Sequence, residues 1–221
     1  HPEEWTYHIP EGMTTMEGAL VEPAAVGMHA AVLGGAQPGK SIVILGGGTI
    51  GLMVLQACIS LGATDITVVD VIEKRLELAK KLGAARVING KEEDTVAVLR
   101  SEEMYGDHGV DLVFEAAGAV FTAQQAVQIV SRGGKIMMVG TQSKPVPIDF
   151  LKINREVTIQ TSFRYCNNFP QTIEAISSGR FNVKDMVTNI YDYEDVQKAF
   201  EEAIDPVKKT EMVKGVIKVA E

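Results

Sequence analysis

Between Ser41 and Phe163, short runs of apolar and β-branched residues alternate with longer segments whose apolar positions recur at helical spacing. The runs are SIVIL, DITVVD, ARVIN, VDLVF, GKIMMVG and VTIQTSF. Several are apolar at consecutive positions, the pattern of strands covered on both faces. Strands separated by helical segments imply parallel pairing through crossovers. The expected fold is therefore α/β, with a doubly wound, six-stranded parallel sheet. In the first crossover Ile50, Met53, Val54, Ala57 and Leu61 share a helical face, and Gly62 is placed to end the helix in the left-handed conformation. Gly83 is placed likewise after EKRLELAKKL. Cys58 lies beside the apolar face and reads as core.

The flanks are less self-sufficient. Ahead of the first strand, Thr14 and Glu17 have the spacing of a capping box, and Pro23 is expected to interrupt or restart the helix that follows. Beyond the last strand come a helix, FPQTIEAISSG, a strand, MVTNIYDY, a helix, YEDVQKAFEEA, and a strand, GVIKVA. These two strands have no obvious partners. Native proteins pair or cover strand edges, so both flanks are expected to belong to a second domain that lies largely outside this sequence.

Composition narrows the chemistry. The chain has 221 residues, 46% of them hydrophobic, enough for one full-sized core. No apolar run is long enough to span a bilayer and the N-terminus has no leader pattern, so the expected setting is cytoplasmic, without a membrane partner. Acidic residues number 29 against 21 basic, a net charge of −8 with scattered cations, which argues against nucleic acid. The two cysteines, Cys58 and Cys166, have no metal-ligand spacing, so neither a disulfide framework nor a self-contained metal site is expected.

LGGGTIG places Gly46, Gly48 and Gly51 at G-x-G-x-x-G spacing between a strand and a helix, with Asp70 ending the next strand. Gly46 suits a tight turn, Gly48 lets the backbone approach a pyrophosphate, and Gly51 allows close helix packing. The helix start near Thr49 offers unpaired N–H groups and a positive dipole to phosphates. Asp70 can accept bonds from ribose hydroxyls. It also favours NAD over NADP, since two like charges 4 Å apart cost roughly 4 kcal/mol at intermediate dielectric. Lys74 and Arg75 blur that preference, because they could offset a 2′-phosphate. Up to this point a methyltransferase or a non-catalytic NAD sensor shares the same features.

EGALVEPAAVGMHA, SIVILGGGTIG, Asp70 with Arg75, and FRYCNNFP together resemble the zinc-dependent medium-chain dehydrogenases, most closely the sorbitol and xylitol (polyol) dehydrogenase branch. The likeness runs from Pro10 to the end. It implies a Rossmann domain at residues 27–163, a remnant of a catalytic domain at 1–26, and a C-terminal return segment at 164–221. It implies further that Glu22 is the acidic residue beside the catalytic zinc, touching its water or the substrate. Ile50, Asp70, Arg75, Val139, Gly140, Thr141, Ser162, Phe163 and Arg164 are implied cofactor contacts beside Gly46, Gly48 and Gly51, and Arg164 and Tyr165 substrate contacts.

FRYCN, read alone, merely finishes a strand. Beside the resemblance it acquires a task, because a polyol presents a row of hydroxyls and Arg164 and Tyr165 can supply a charged fork and a phenol. Cys166 reads as packing, His29 as a packed histidine and His108 as a loop residue. The family's zinc ligands lie upstream in its members, so this chain is expected to begin mid-protein, to bind NAD, and to oxidise polyols negligibly alone. The resemblance also implies a homodimer or homotetramer and a small alcohol substrate. Threonine, butanediol and idonate dehydrogenases share much of the pattern.

Overall fold

The computed structural model describes residues 2–153 and 155–219. Six parallel strands form one sheet: β1 (Ser41–Leu45), β2 (Asp65–Asp70), β3 (Arg86–Asn89), β4 (Val110–Glu115), β5 (Val130–Met138) and β6 (Thr158–Thr161). Their order is β3-β2-β1-β4-β5-β6, the doubly wound arrangement expected from the apolar runs. The strand reversal between β1 and β4 opens a crevice at the carboxyl ends. β6 is the outer strand on its side.

Strand β1 shows why consecutive apolar residues are needed. Ile42 and Ile44 join the core on one side of the sheet, with Leu52, Met53 and Phe114, while Val43 and Leu45 join the core on the other, with Ile88, Val113 and Ile136. All four β1 residues are fully buried. Each such side chain contributes about 1.5–3 kcal/mol of burial free energy.

Helix α1 (Thr15–Gly34) packs across α2 (Thr49–Ser60). The Thr14–Glu17 capping box is formed in full. Pro23, expected to break or restart this helix, instead lies inside it. Its φ suits a helix, and the one carbonyl that loses a bond belongs to Ala19, which is exposed to water. Gly27 allows the close crossing, since a Cβ there would stand 2.4 Å from the Met53 carbonyl carbon. α1 runs unbroken across residues 26 and 27. Helix α2 is buried on more than the expected face, because Leu52, Leu55, Gln56 and Cys58 are buried together with Met53, Val54 and Ala57.

The remaining crossovers are α3 (Glu73–Lys81), α4 (Thr95–Leu99) and α5 (Val120–Ile129). Past β6, α6 (Phe169–Ser177) packs on α1, and Phe181, Val183 and Met186 complete that side of the core. The two final strands differ from expectation. β7 (Val187–Asp192) and β8 (Lys214–Lys218) pair with each other, in parallel, through α7 (Val196–Ile204) and α8 (Lys208–Glu211). Their edges thus satisfy one another by the same crossover logic that builds the main sheet. No helix among the described residues is long and apolar enough to cross a membrane.

Candidate functional site

The glycine loop follows directly from β1. Gly46 has φ +113°, and a Cβ there would press within 2.8 Å of the Ala117 amide. Gly51 faces the Gly46 carbonyl so closely that a Cβ would overlap it. Gly48, the N-cap of α2, has almost open space above it. These are the three tasks expected of the motif: a turn, a tight helix-to-strand contact and an approachable backbone.

Asp70 closes the loop from β2. Its Oδ2 accepts the Gly47 amide at 2.7 Å, and its Oδ1 accepts the amides of Val71 and Ile72 at 2.8 and 2.9 Å. A carboxylate has about four acceptor positions, so capacity remains for a sugar hydroxyl. The Arg75 guanidinium stands 3.7 Å from Asp70 Oδ2. Gly46, Gly48, Asp70 and Arg75 line one cleft of about 370 Å³, together with Val71, Thr95 and Phe121. Two of its lining residues bring buried polar atoms that have no partner among the described residues, Arg75 Nε and Thr95 Oγ1. Such orphaned groups are costly unless a ligand or water meets them.

Sequence reasoning did not single out Thr95, Phe121 or Glu115. Glu115 is fully buried at the end of β4. Its Oε1 accepts from the Ala117 and Gly118 amides at 3.0 and 2.9 Å and from Thr122 Oγ1 at 2.7 Å, while Gln142 Nε2 donates to its Oε2 at 2.7 Å. The signal available was an acidic residue directly after the apolar stretch Leu112–Phe114. Val139 and Gly140 donate their amides to the Glu115 carbonyl, each at 2.8 Å, which clamps the loop after β5 onto the loop after β4. A Cβ on Gly118 would stand 2.7 Å from the Thr141 carbonyl oxygen.

At the exit of β6, the Ser162 amide donates to the Met138 carbonyl at 2.9 Å, and the Ser162 hydroxyl is buried without a partner among the described residues. Phe163 is exposed and carries the Arg164 guanidinium 5.3 Å from its ring centre. Arg164 and Asn167 adopt positive φ, +51° and +53°. Buried Asn168 pins this bend: its Oδ1 accepts the Cys166 amide at 3.2 Å and lies 3.1 Å from His29 Nδ1. Tyr165 meets Phe169 edge-on at 4.9 Å, and Tyr7 stacks on Phe169 at 5.5 Å. Cys166, expected to pack, is exposed, because the bend turns residues 163–167 outward at the sheet edge. Cys58 is fully buried as expected, and burial pushes its thiol up beyond the range of a reactive cysteine. His29 is half-buried against Asn168, and His108 lies in an exposed turn.

The expected residues thus fall into separate groups. Gly46, Gly48, Asp70 and Arg75 share the cleft, with Gly51 beneath the loop and half-buried Ile50 in the first turn of α2. Val139, Gly140, Thr141, Ser162, Phe163, Arg164 and Tyr165 follow β5 and β6 at the same carboxyl edge. Glu22 is apart from both, exposed on α1 with no hydrogen bond or ion pair among the described residues. No group of three or more His, Cys, Asp or Glu among the described residues is placed to hold a metal ion.

Known proteins resemble this chain over most of its length. The profile of a family described as zinc-binding dehydrogenase matches residues 49–178. An uncharacterized zinc-type alcohol dehydrogenase-like protein, YdjJ of Escherichia coli strain K12, is 62% identical over the whole chain, which covers 62% of that protein. Sorbitol dehydrogenase of Bacillus subtilis strain 168 is 39% identical over 91% of the chain and 57% of its own length. The crystal structure of 2R,3R-butanediol dehydrogenase from Bacillus subtilis superposes with a TM-score of 0.87 at 29% identity, over 97% of this chain and 60% of that one. The chain therefore spans about three-fifths of the length of the relatives it matches.

Proposed function

Because the chain belongs to the zinc-binding dehydrogenase family, we propose that it is the NAD-binding part of an enzyme that oxidises a polyol or other secondary alcohol, the carbinol carbon giving its hydride to NAD and the hydroxyl its proton to solvent, leaving a ketose or ketone. The bound nicotinamide supplies the hydride acceptor. The observation that carries the reading is Asp70, fixed by three amides at the lip of the glycine cleft with acceptor capacity to spare.

In this reading the N-terminal amides of α2 take the pyrophosphate, Asp70 takes ribose hydroxyls and Arg75 flanks the adenosine half. Ile50, Val139, Gly140, Thr141, Ser162, Phe163 and Arg164 continue the contact towards the reacting end. Arg164 and Tyr165 grip substrate hydroxyls, and Glu22 acts beside the reacting alcohol. NAD is preferred because a 2′-phosphate would meet Asp70, while the nearby cations already have partners: Lys74 pairs with Glu211 at 2.7 Å and Arg75 with Asp70. The described side chains do not fit a zinc site, so none of them is assigned a step that needs the metal. Zinc, like residues 1–26 and 164–221, is assigned in this reading to a catalytic domain of the longer protein. The enzyme is read as a cytoplasmic homo-oligomer.

A second reading, a butanediol-type alcohol dehydrogenase, draws on the structural likeness noted above. The test is thermal unfolding of the chain with NAD, NADP, S-adenosylmethionine or no ligand. A ligand at a hundred times its Kd adds about 2.7 kcal/mol to stability. NAD is expected to raise the midpoint most. A response to S-adenosylmethionine alone would remove the dehydrogenase reading, and full-length enzyme assayed with sorbitol, xylitol and butanediol separates the two alcohol classes.

A further inference from the structure

A second polar recess, of about 30 Å³, opens at the other end of the sheet from the dinucleotide cleft. Strand β5 starts at the recess and ends at the carboxyl edge of the sheet, its nine residues running beside six of β4, about 17 Å at 3.3 Å per residue. The recess has space for two or three waters, or for one small oxyanion. Its walls come from elements far apart in sequence: Arg100 after α4, Arg132 in β5, and Lys152 and Arg155 in the turn before β6. Four cations gathered at one point in a chain of net charge −8 need a physical account.

Arg100 is accounted for by the fold. Its nitrogens donate to the carbonyls of Gln128, Gly106, Asp107 and Val130 at 2.9–3.3 Å. The other three are not. Arg132, Lys152 and Arg155 are exposed, and none makes a side-chain hydrogen bond or an ion pair among the described residues. Asp107 also lines the recess, alongside His108 and the buried Ser131. One carboxylate does not neutralise the group. Burial lowers the Arg100 pKa, Asp107 opposes that, and the charge of Arg155 lowers it further.

The backbone holds this crowding in place. Opposite Val110 and Leu112 of β4, the neighbouring strand runs from Val130 to Lys135, so the segment around Arg132 bulges out of the ladder. Gly133, at φ +66°, turns the bulge, and its amide donates to the Arg155 carbonyl at 2.9 Å. The bulge thus ties the Arg132 segment to the Arg155 turn. Like charges left facing one another raise the free energy unless an anion is shared between them, and guanidinium forks match the tetrahedral oxygens of phosphate.

We propose that this recess binds one small phosphate-type oxyanion, inorganic phosphate or the head of a small phosphate monoester, through Arg132 and Arg155 with Lys152 as the third cation. Nucleic acid is disfavoured by the acidic remainder of the surface and by the single small seat.

Isothermal titration of the chain with inorganic phosphate tests this, in low-salt buffer containing excess NAD so that the glycine loop is not the site measured. Saturable one-to-one binding is expected, with sodium chloride at matched ionic strength giving none. R132E/R155E should weaken it at least tenfold and R132Q severalfold, with the unfolding midpoint in phosphate-free buffer held or raised, because both positions are exposed and the changes relieve the repulsion. Asp70→Ala should leave it unaltered. Glycerol 3-phosphate binding tenfold tighter than phosphate identifies a monoester ligand, and equal affinities identify free phosphate. No saturable heat, affinity indifferent to R132E/R155E, or binding lost in Asp70→Ala overturns the proposal. NAD affinity, measured separately, reports on the cleft alone.

Discussion

The amide of Gly47 donates to Asp70 Oδ2 at 2.7 Å, so the acid that ends β2 braces the glycine loop before any ligand arrives. In the proposed function Asp70 serves two ends at once, as brace and as sugar acceptor. Replacing it with alanine is expected to cost about 1–3 kcal/mol of stability, since three amides lose their acceptor. It should also weaken NAD about tenfold to a hundredfold, because bonds to a charged group contribute about 1.5–3 kcal/mol. Chemical unfolding and a fluorescence titration read the two separately; unchanged NAD affinity would sink the cofactor assignment.

Gly51 offers a steric test of the same loop. A methyl group there would sit 1.8 Å from the Gly46 carbonyl oxygen, which is backbone and cannot swing aside. Gly51→Ala is expected to lose about 1–3 kcal/mol through overpacking and to displace the Gly46 turn. Gly48→Ala, with its nearest atom 3.9 Å away on a flexible arginine, should fold normally. Any loss of NAD binding in Gly48→Ala therefore measures ligand approach, not folding.

The fold and the glycine cleft were legible because each rests on local rules. Apolar runs gave all six strands, and the spacing Gly46, Gly48, Gly51 with Asp70 gave the cleft. What escaped depended on partners distant in sequence. Pro23 looked like a break because the exposure of Ala19 was invisible in the sequence. β7 and β8 looked unpartnered because their match lies across α7 and α8. Glu115 gave no more signal than one acid at a strand end, yet four donors from three segments converge on it. Cys166 was misread since nothing local announced that Arg164 and Asn167 would turn the chain outward.

The two cysteines should now respond differently to a thiol reagent. Cys166 is exposed and Cys58 is fully buried with its thiol pushed up. One thiol per native chain is expected to react promptly, and the second only on unfolding. Two prompt thiols would contradict the packing of α2.

The capping box of α1 should shape acid stability. Burial works against the Glu17 carboxylate, but bonds from the Thr14 amide and hydroxyl and from Lys184 outweigh it and hold its pKa below the ordinary value. A depressed folded pKa means that the stabilisation is present above the unfolded value, about 4.3, and is lost as pH falls through the folded one. Glu17→Gln should flatten the fall in unfolding midpoint below pH 4.5, and Thr14→Ala should cost about 1 kcal/mol at pH 7. Midpoints at pH 7 and pH 3 decide both.

Arg164 separates stability from activity. Its φ of +51° is a conformation that costs a non-glycine residue about 1–2 kcal/mol, and Arg is not among the residues that tolerate it well. A strained residue at a strand exit is retained where the surroundings or the task require that side chain. In Arg164→Gly the strain disappears, offset by the extra chain entropy of glycine, so stability should hold or rise by up to about 1 kcal/mol. If the guanidinium grips a substrate hydroxyl, the same change in the full-length enzyme should lower kcat/KM for polyols about tenfold to a hundredfold, the cost of a lost charged hydrogen bond. Arg164→Lys, which keeps the charge but loses the planar fork, should recover part of the activity while restoring the strain. A stable Arg164→Gly enzyme with undiminished turnover would assign the residue to the architecture of the bend, with Asn168 and Phe169, and leave Tyr165 to carry recognition alone.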